Sequence, residues 1–256
     1  EDNTAVYEGG GLYLDTKGTV NLGTGTIIVR NNSSEKTTGY NLYLPGEKKL
    51  TAPAGPADGS SITLSLPLAR IQKAEGTAVI ANTGKDIRNG DSRFAFEAEK
   101  ITLVRDGDGD DVLAMIPAHT HDGITYTPVY SLAEIPSNAT GSYYLLQDSK
   151  MSSSVTVGAN NTVNVCLNGH KSEPIYFKNS GTLNITDCKH GTATPGYITG
   201  YSYSSGSNNI ETTSGSTLNL TNVTVKEKTG STFISATGAT VNISGCEYYD
   251  SESGFL

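Results

Sequence analysis

Tryptophan is absent from this sequence, methionine occurs only twice, and apolar residues make up just 36% of the chain. A compact α/β enzyme carries more Leu, Ala and Met than this, so a single large mixed core is not expected. Long apolar runs are missing too. No stretch approaches the ~20 residues of a membrane-spanning helix, and no span is expected. Basic clusters are missing: Lys48-Lys49 and Lys226/Lys228 are short pairs suited to solvated turns, and the formal charge is −8. Nucleic acid and anionic membranes are bound through clustered Lys and Arg that release counterions, so neither is an expected partner. Amphipathic helical patterns are nearly absent, and Ser131–Ile135 offers one short turn at most. The three cysteines, Cys166, Cys188 and Cys246, cannot all pair within one chain and show no zinc spacing. No secretory leader is visible at Glu1, and both ends fall inside repeat-like segments. The expectation is a mature chain or a piece of a larger repeat protein.

What the sequence does have is turn chemistry. Glycine occurs 29 times, with abundant Ser, Thr and Asn, and tyrosine supplies 14 of the aromatics. This mixture favours many short strands joined by tight turns. Internal repetition is the strongest signal. Thr162-Val163-Asn164-Val165, Thr182-Leu183-Asn184-Ile185, Thr217-Leu218-Asn219-Leu220 and Thr240-Val241-Asn242-Ile243 align on an asparagine, at steps of 20, 35 and 23 residues. Nine residues before each Asn the position is apolar: Val155, Ile175, Ile210 and Phe233. Within each motif apolar residues alternate with Asn, as a half-buried strand requires. The step is too short for a βαβ unit and suits one turn of a β-solenoid, whose turns bury their apolar faces only by stacking. The step of 35 is expected to hold an insertion, Lys189 to Ser207.

The N-terminal half repeats less regularly. Leu12–Leu14, Thr26–Val29, Leu42–Leu44, Ser61–Leu64, Thr77–Ile80 and Phe94–Phe96 resemble short strands. Ile101–Val104 and Val112–Met115 flank an acidic run and predict a hairpin. The strand pattern breaks at Pro117. The chain therefore divides into irregular β-rungs or a β-module over 1–116, a linker over 117–125, and a regular parallel β-helix over 126–256. The fold class is all-β, a right-handed parallel β-helix with a less regular N-terminal part.

Gly9-Gly10-Gly11-Leu12-Tyr13-Leu14 and Asn41-Leu42-Tyr43-Leu44-Pro45 resemble repeat ends of large Gram-positive surface proteins. His119-Thr-His121-Asp-Gly123, Gly141-Ser-Tyr143-Tyr144-Leu145, Cys166-Leu167-Asn168-Gly169-His170 and Thr182-Leu-Asn-Ile-Thr-Asp-Cys188 resemble the module that follows in such proteins. The resemblance covers most of the chain. It implies a pectate-lyase-like parallel β-helix on an adhesin-like bacterial protein of anaerobic Firmicutes type, secreted or wall-attached. Glu47-Lys48-Lys49, where Gly/Ser-Lys-Thr is usual, departs from the pattern, as does a long 85–93 loop.

Candidate chemistry is sparse. Asp106, Asp108, Asp110 and Asp111 are spaced as Ca²⁺ ligands can be, without the bidentate Glu of an EF-hand loop; a hairpin tip is the simpler reading, and no cofactor is otherwise expected. His119 and His121, with Asp122, share a strand face and could seed a Zn²⁺ or Ni²⁺ site. No third ligand is evident nearby, so a linker or corner role is expected for these and for His170 and His190. The cysteines are expected to be buried small hydrophobes, with a Cys166–Cys188 bridge as the alternative. Asn164, Asn184, Asn219 and Asn242 are expected to form a structural ladder. Tyr197, Tyr201 and Tyr203 in the insertion have the composition of a carbohydrate- or protein-binding surface. Asp187, Glu211 and Glu247 fall at unlike offsets and supply no stacked acid pair for a glycosidase or lyase. The expected function is a non-catalytic scaffold presenting loops to host glycans or proteins. The alternatives are a carbohydrate-active β-helix enzyme and a pure spacer.

Overall fold

The computed structural model describes residues 4–5, 11–14, 18–34, 41–73, 76–84, 86–96, 101–105, 110–116, 118–200, 208–227 and 232–250. It is nearly all-β, with 46% of residues in strands and 3% in helix, and several of its sheets are parallel. The chain divides into two compact units, Glu1–Pro117 and Ala118–Leu256.

The first unit is built from short strands. Leu12–Tyr13, Leu42–Tyr43, Ser61–Ser65 and Phe94–Phe96 lie side by side in one parallel sheet, and Ile28–Val29 also pairs with Ser61–Ser65. Val20–Asn21, Leu50–Thr51 and Thr77–Ala81 form a second. The expected hairpin is present: Thr102–Arg105 runs antiparallel to Asp111–Met115, which extends the second sheet beside Thr77–Ala81. A single helical turn, Leu68–Ile71, was not foreshadowed by any periodicity, and it carries Arg70 into the interior.

The second unit repeats a three-strand pattern. Val155–Val157, Thr162–Cys166 and Lys171–Ser172 are followed by Phe177–Asn179, Thr182–Thr186 and Tyr197–Thr199. Then come Asn208–Thr212, Thr217–Thr221 and Thr224–Glu227, and finally Thr232–Ala236, Thr240–Ser244 and Glu247–Asp250. Each strand pairs in parallel with its counterpart in the next repeat, giving three parallel sheets. Alternation decides which side chains go inside. Val163, Val165, Leu183, Ile185, Leu218 and Leu220 are buried, while the Thr and Asn between them face the other way. The corners are tight. A Cβ on Gly181 would fall 2.3 Å from the Gly158 carbonyl oxygen and 2.4 Å from that of Asn161, so only glycine lets these stacked corners approach.

Three details differ from the sequence expectation. The residues in register beside the Asn motif are Val155, Phe177, Ile210 and Ile234; Ile175 and Phe233, nine before their Asn, are apolar and buried but sit two and one positions off that register. Corner length varies between repeats, so a fixed offset of nine misses two of the four. Residues 189–207 are not purely a looped-out insertion, because Tyr197–Thr199 is a strand of the third sheet. Strands enter the span read as a linker: His119–His121 and Ile124–Val129 are antiparallel partners, and the second of these pairs in parallel with Gly141–Leu145.

Candidate metal centre

The site begins with a two-residue turn. Asp122 and Gly123 adopt φ of 53° and 74°, the left-handed pair that a type I′ hairpin demands and that Asp-Gly supplies. This turn reverses the chain so that His119 faces Tyr126 and His121 faces Ile124 in the antiparallel ladder. Two residues apart on one strand, His119 and His121 share a face. Each imidazole is held by an aromatic ring. His119 stacks on Tyr144 with centroids 4.4 Å apart, and His121 stacks on Tyr126 at the same distance. Burial pushes both tyrosine hydroxyls up to about 12, so at neutral pH they are neutral stacking surfaces.

The parallel sheet delivers the other half of the site. Tyr144 pairs with Cys166, and Cys166 pairs with Thr186, two residues before Cys188. Cys166 lies on the same strand face as Asn164, opposite Val163 and Val165, and is nonetheless buried. Its sulfur is 3.4 Å from His119 Nε2, and the Cys188 sulfur is 3.8 Å from the same nitrogen. Ligand-type atoms of His119, His121, Cys166 and Cys188 all lie within 4.8 Å of one another. Both thiols are free; Cys166 is buried and Cys188 exposed. The Cys188 thiol is held below its ordinary value by its hydrogen bond from Cys166, with His119 and His121 adding to the effect. Cys166, the donor in that pair and buried, is held above it.

The surroundings fix this arrangement. Asp187, buried beside Cys188, accepts hydrogen bonds from the backbone N–H groups of Gly169 (2.8 Å), Lys189 (3.2 Å) and Gly196 (2.7 Å), which sets the corner on which Cys188 sits. Asp122 Oδ2 is 3.1 Å from His121 Nδ1. The other ring nitrogen, His121 Nε2, is buried without a hydrogen-bond partner.

These contacts correct two expectations. The third and fourth ligand-type residues do exist for His119 and His121, but they lie 47 and 69 residues from His119, where sequence spacing cannot show them. Cys188 is exposed rather than a buried hydrophobe. The usable signals were the Asp-Gly turn between His121 and Ile124 and the two-residue offset of Cys166 from outward-facing Asn164. The remaining histidines stay apart from this group: His170 Nδ1 is 3.6 Å from Asp148, and His190 Nε2 is buried without a partner.

The other sequence candidates fall as follows. Asn164, Asn184, Asn219 and Asn242 are in register. Each side-chain amide donates to the one before it: Asn242 to Asn219 at 2.8 Å, Asn219 to Asn184 at 2.6 Å, Asn184 to Asn164 at 2.7 Å, and Asn164 to the Ser142 hydroxyl at 2.9 Å. Asp106 and Asp108 lie outside the described residues. Asp110 is exposed, and Asp111 is 3.0 Å from Lys49. Tyr201 and Tyr203 also lie outside the described residues. Tyr197 lines a cleft of about 550 Å³ with Pro195, Lys226, Glu247 and Tyr249, and the Lys226 ammonium sits 3.7 Å from the Tyr197 ring centroid. No helix among the described residues is long and apolar enough to cross a membrane. Comparison with protein-family models, with curated proteins and with solved structures finds no match for this chain.

Proposed function

We propose that residues 126–256 form a right-handed parallel β-helix and that the chain is a non-catalytic scaffold module. In this reading it belongs to an adhesin-like bacterial protein, secreted or attached to a cell wall, and presents its corners to glycans or proteins. The observation that carries the reading is the register: three strands per repeat stack on their counterparts, and the Asn motif recurs in one hydrogen-bonded column. Such stacking buries one continuous core and leaves corners of variable length outside it. The outward positions beside the column are Thr and Asn. Asp187, an acid otherwise eligible for catalysis, is spent on three backbone N–H groups.

The cleft at Tyr197 is the binding surface this reading favours. The Lys226 ammonium covers one face of the Tyr197 ring, and with Glu247 beside it the cleft offers charged donors and acceptors to sugar hydroxyls along an aromatic edge. The test is a glycan array and a mucin-binding assay with the whole chain, repeated with Tyr197→Ala. Binding to a defined glycan class, weakened at least ~10-fold by the substitution (about 1.4 kcal/mol), is the expected result. Blank arrays and no mucin binding would sink the binding half of the proposal and leave a spacer.

A further inference from the structure

We infer that His119, His121, Cys166 and Cys188 bind a single Zn²⁺ ion that clips the Asp-Gly hairpin onto the parallel sheet. Two sulfurs and two imidazole nitrogens make a Cys₂His₂ set, the donor combination of closed, tetrahedral structural zinc sites. At bond lengths of about 2.3 Å for sulfur and about 2.0–2.1 Å for nitrogen, tetrahedral geometry puts sulfur and nitrogen ligands about 3.6 Å apart. The two distances from His119 Nε2, 3.4 Å to Cys166 and 3.8 Å to Cys188, bracket that value.

Three further observations converge on the same point. His121 Nε2 is a buried nitrogen with no hydrogen-bond partner, and a buried polar atom left unpaired calls for an explanation that a metal lone-pair bond supplies. Asp122 accepts from the opposite nitrogen, Nδ1, at 3.1 Å. That bond fixes the tautomer with its lone pair on Nε2, the carboxylate–histidine–metal arrangement found around protein-bound zinc. The stacking of His119 on Tyr144 and of His121 on Tyr126 holds both rings before any ion arrives. In the bound state both sulfurs are thiolates and both imidazoles are neutral, any remaining thiol protons passing to solvent. With all four positions supplied by the chain, no open position remains for a substrate, so the role is structural. The ion joins residues from three places in the sequence, the hairpin strand, the end of Thr162–Cys166 and the corner after Thr182–Thr186.

The test uses the full chain, produced without a histidine tag and kept in a reductant that does not bind metal. Co²⁺ is added first and then displaced with Zn²⁺. The expected result is one Co²⁺ per chain with thiolate charge-transfer bands and the intense visible absorption of a tetrahedral ion, bleached by one equivalent of Zn²⁺, with a rise in Tm. Cys188→Ser, at an exposed position, and His121→Gln, at a half-buried one, should retain the circular dichroism of the parent and lose at least ~100-fold in Zn²⁺ affinity. Asp122→Asn, which keeps the turn but weakens the contact to His121, should lose about 10- to 100-fold. A weak octahedral Co²⁺ spectrum without sulfur bands overturns the inference. So does a Cys188→Ser chain that binds Zn²⁺ as tightly as the parent, or a chain purified with stoichiometric Zn²⁺ whose Cys166 and Cys188 are joined as a disulfide.

Discussion

Among the described residues, the polar side-chain staples of residues 1–117 are each used once, whereas residues 118–256 add to such single contacts one outward-facing contact that recurs from repeat to repeat. In the first unit Arg70 is only 2% exposed. It donates to the carbonyls of Leu44 (3.0 Å), Lys48 (2.8 Å) and Ala78 (2.6 Å) and to the Thr77 hydroxyl (3.3 Å). Desolvation lowers its pKa, but the guanidinium stays charged at any physiological pH. Asn82 similarly bonds both the N–H and the carbonyl of Ile87, and Arg93 ties Asp91 to the carbonyls of Pro56 and Asp86. These are individual staples for strands that are often two residues long. In the second unit the strands are mostly longer, and an asparagine column does the same job by repetition. Irregular strands need long side chains that reach several carbonyls. Regular ones can also repeat a short amide at a fixed place.

The contrast can be broken most forcefully at Arg70. Arg70→Met strands one buried and two half-buried carbonyls and the buried Thr77 hydroxyl, at a cost of about 3 kcal/mol or more. Hydrogen exchange resolved by peptide should show 41–82 losing protection while 155–221 keeps it; equal loss in both regions would mean the staple is not local. Asn184→Ala removes a donor and an acceptor from the middle of the column and should cost about 1–2 kcal/mol, read from denaturant unfolding of the second unit. Asn242→Ala, at an exposed place with a single bond, should cost less than half of that. If the two substitutions cost the same, the column is not acting as a connected chain.

A smaller effect depends on pH. Asp91 is held below the usual carboxylate range chiefly by its hydrogen bond from Arg93. A depressed folded-state pKa means stability that is present above the unfolded value and is lost as pH falls through the folded one. Acid titration of the first unit should therefore show a loss below about pH 4 that Asp91→Asn flattens. The smallest effect belongs to Lys49, whose exposed pair with Asp111 should be worth under ~1 kcal/mol. Lys49→Ala that moved Tm by several degrees would show that the strand beginning at Asp111 depends on it.

The legibility of the sequence follows the same division. The Thr-Leu/Val-Asn motif shows its face alternation directly, because burial on one side of a strand imposes a period of two, and the register of the asparagines follows from it. Corner lengths do not obey a period, which is why Phe177 and Ile234, rather than Ile175 and Phe233, fall in register with Val155 and Ile210. In the first unit nothing in the sequence around Arg70 marks it as interior, since its partners are backbone carbonyls that every residue possesses. The His/Cys cluster was half visible. His119 and His121 advertise themselves by spacing, but stacking sets Cys166 and Cys188 beside them, and parallel stacking joins residues across whole repeats.

The asparagine column has a sense as well as a register. Each ladder amide donates toward the preceding repeat, from Asn242 back to Ser142. A repeat duplicated in the gene would find an acceptor ahead of it and offer one behind, whatever the length of its corners. The step of 35 residues, which keeps Asn184 and Asn219 bonded as closely as the step of 20 keeps Asn164 and Asn184, is a case of that tolerance. Copy number and corner length are thus independent variables for evolution or engineering, and the chain can be lengthened without being redesigned.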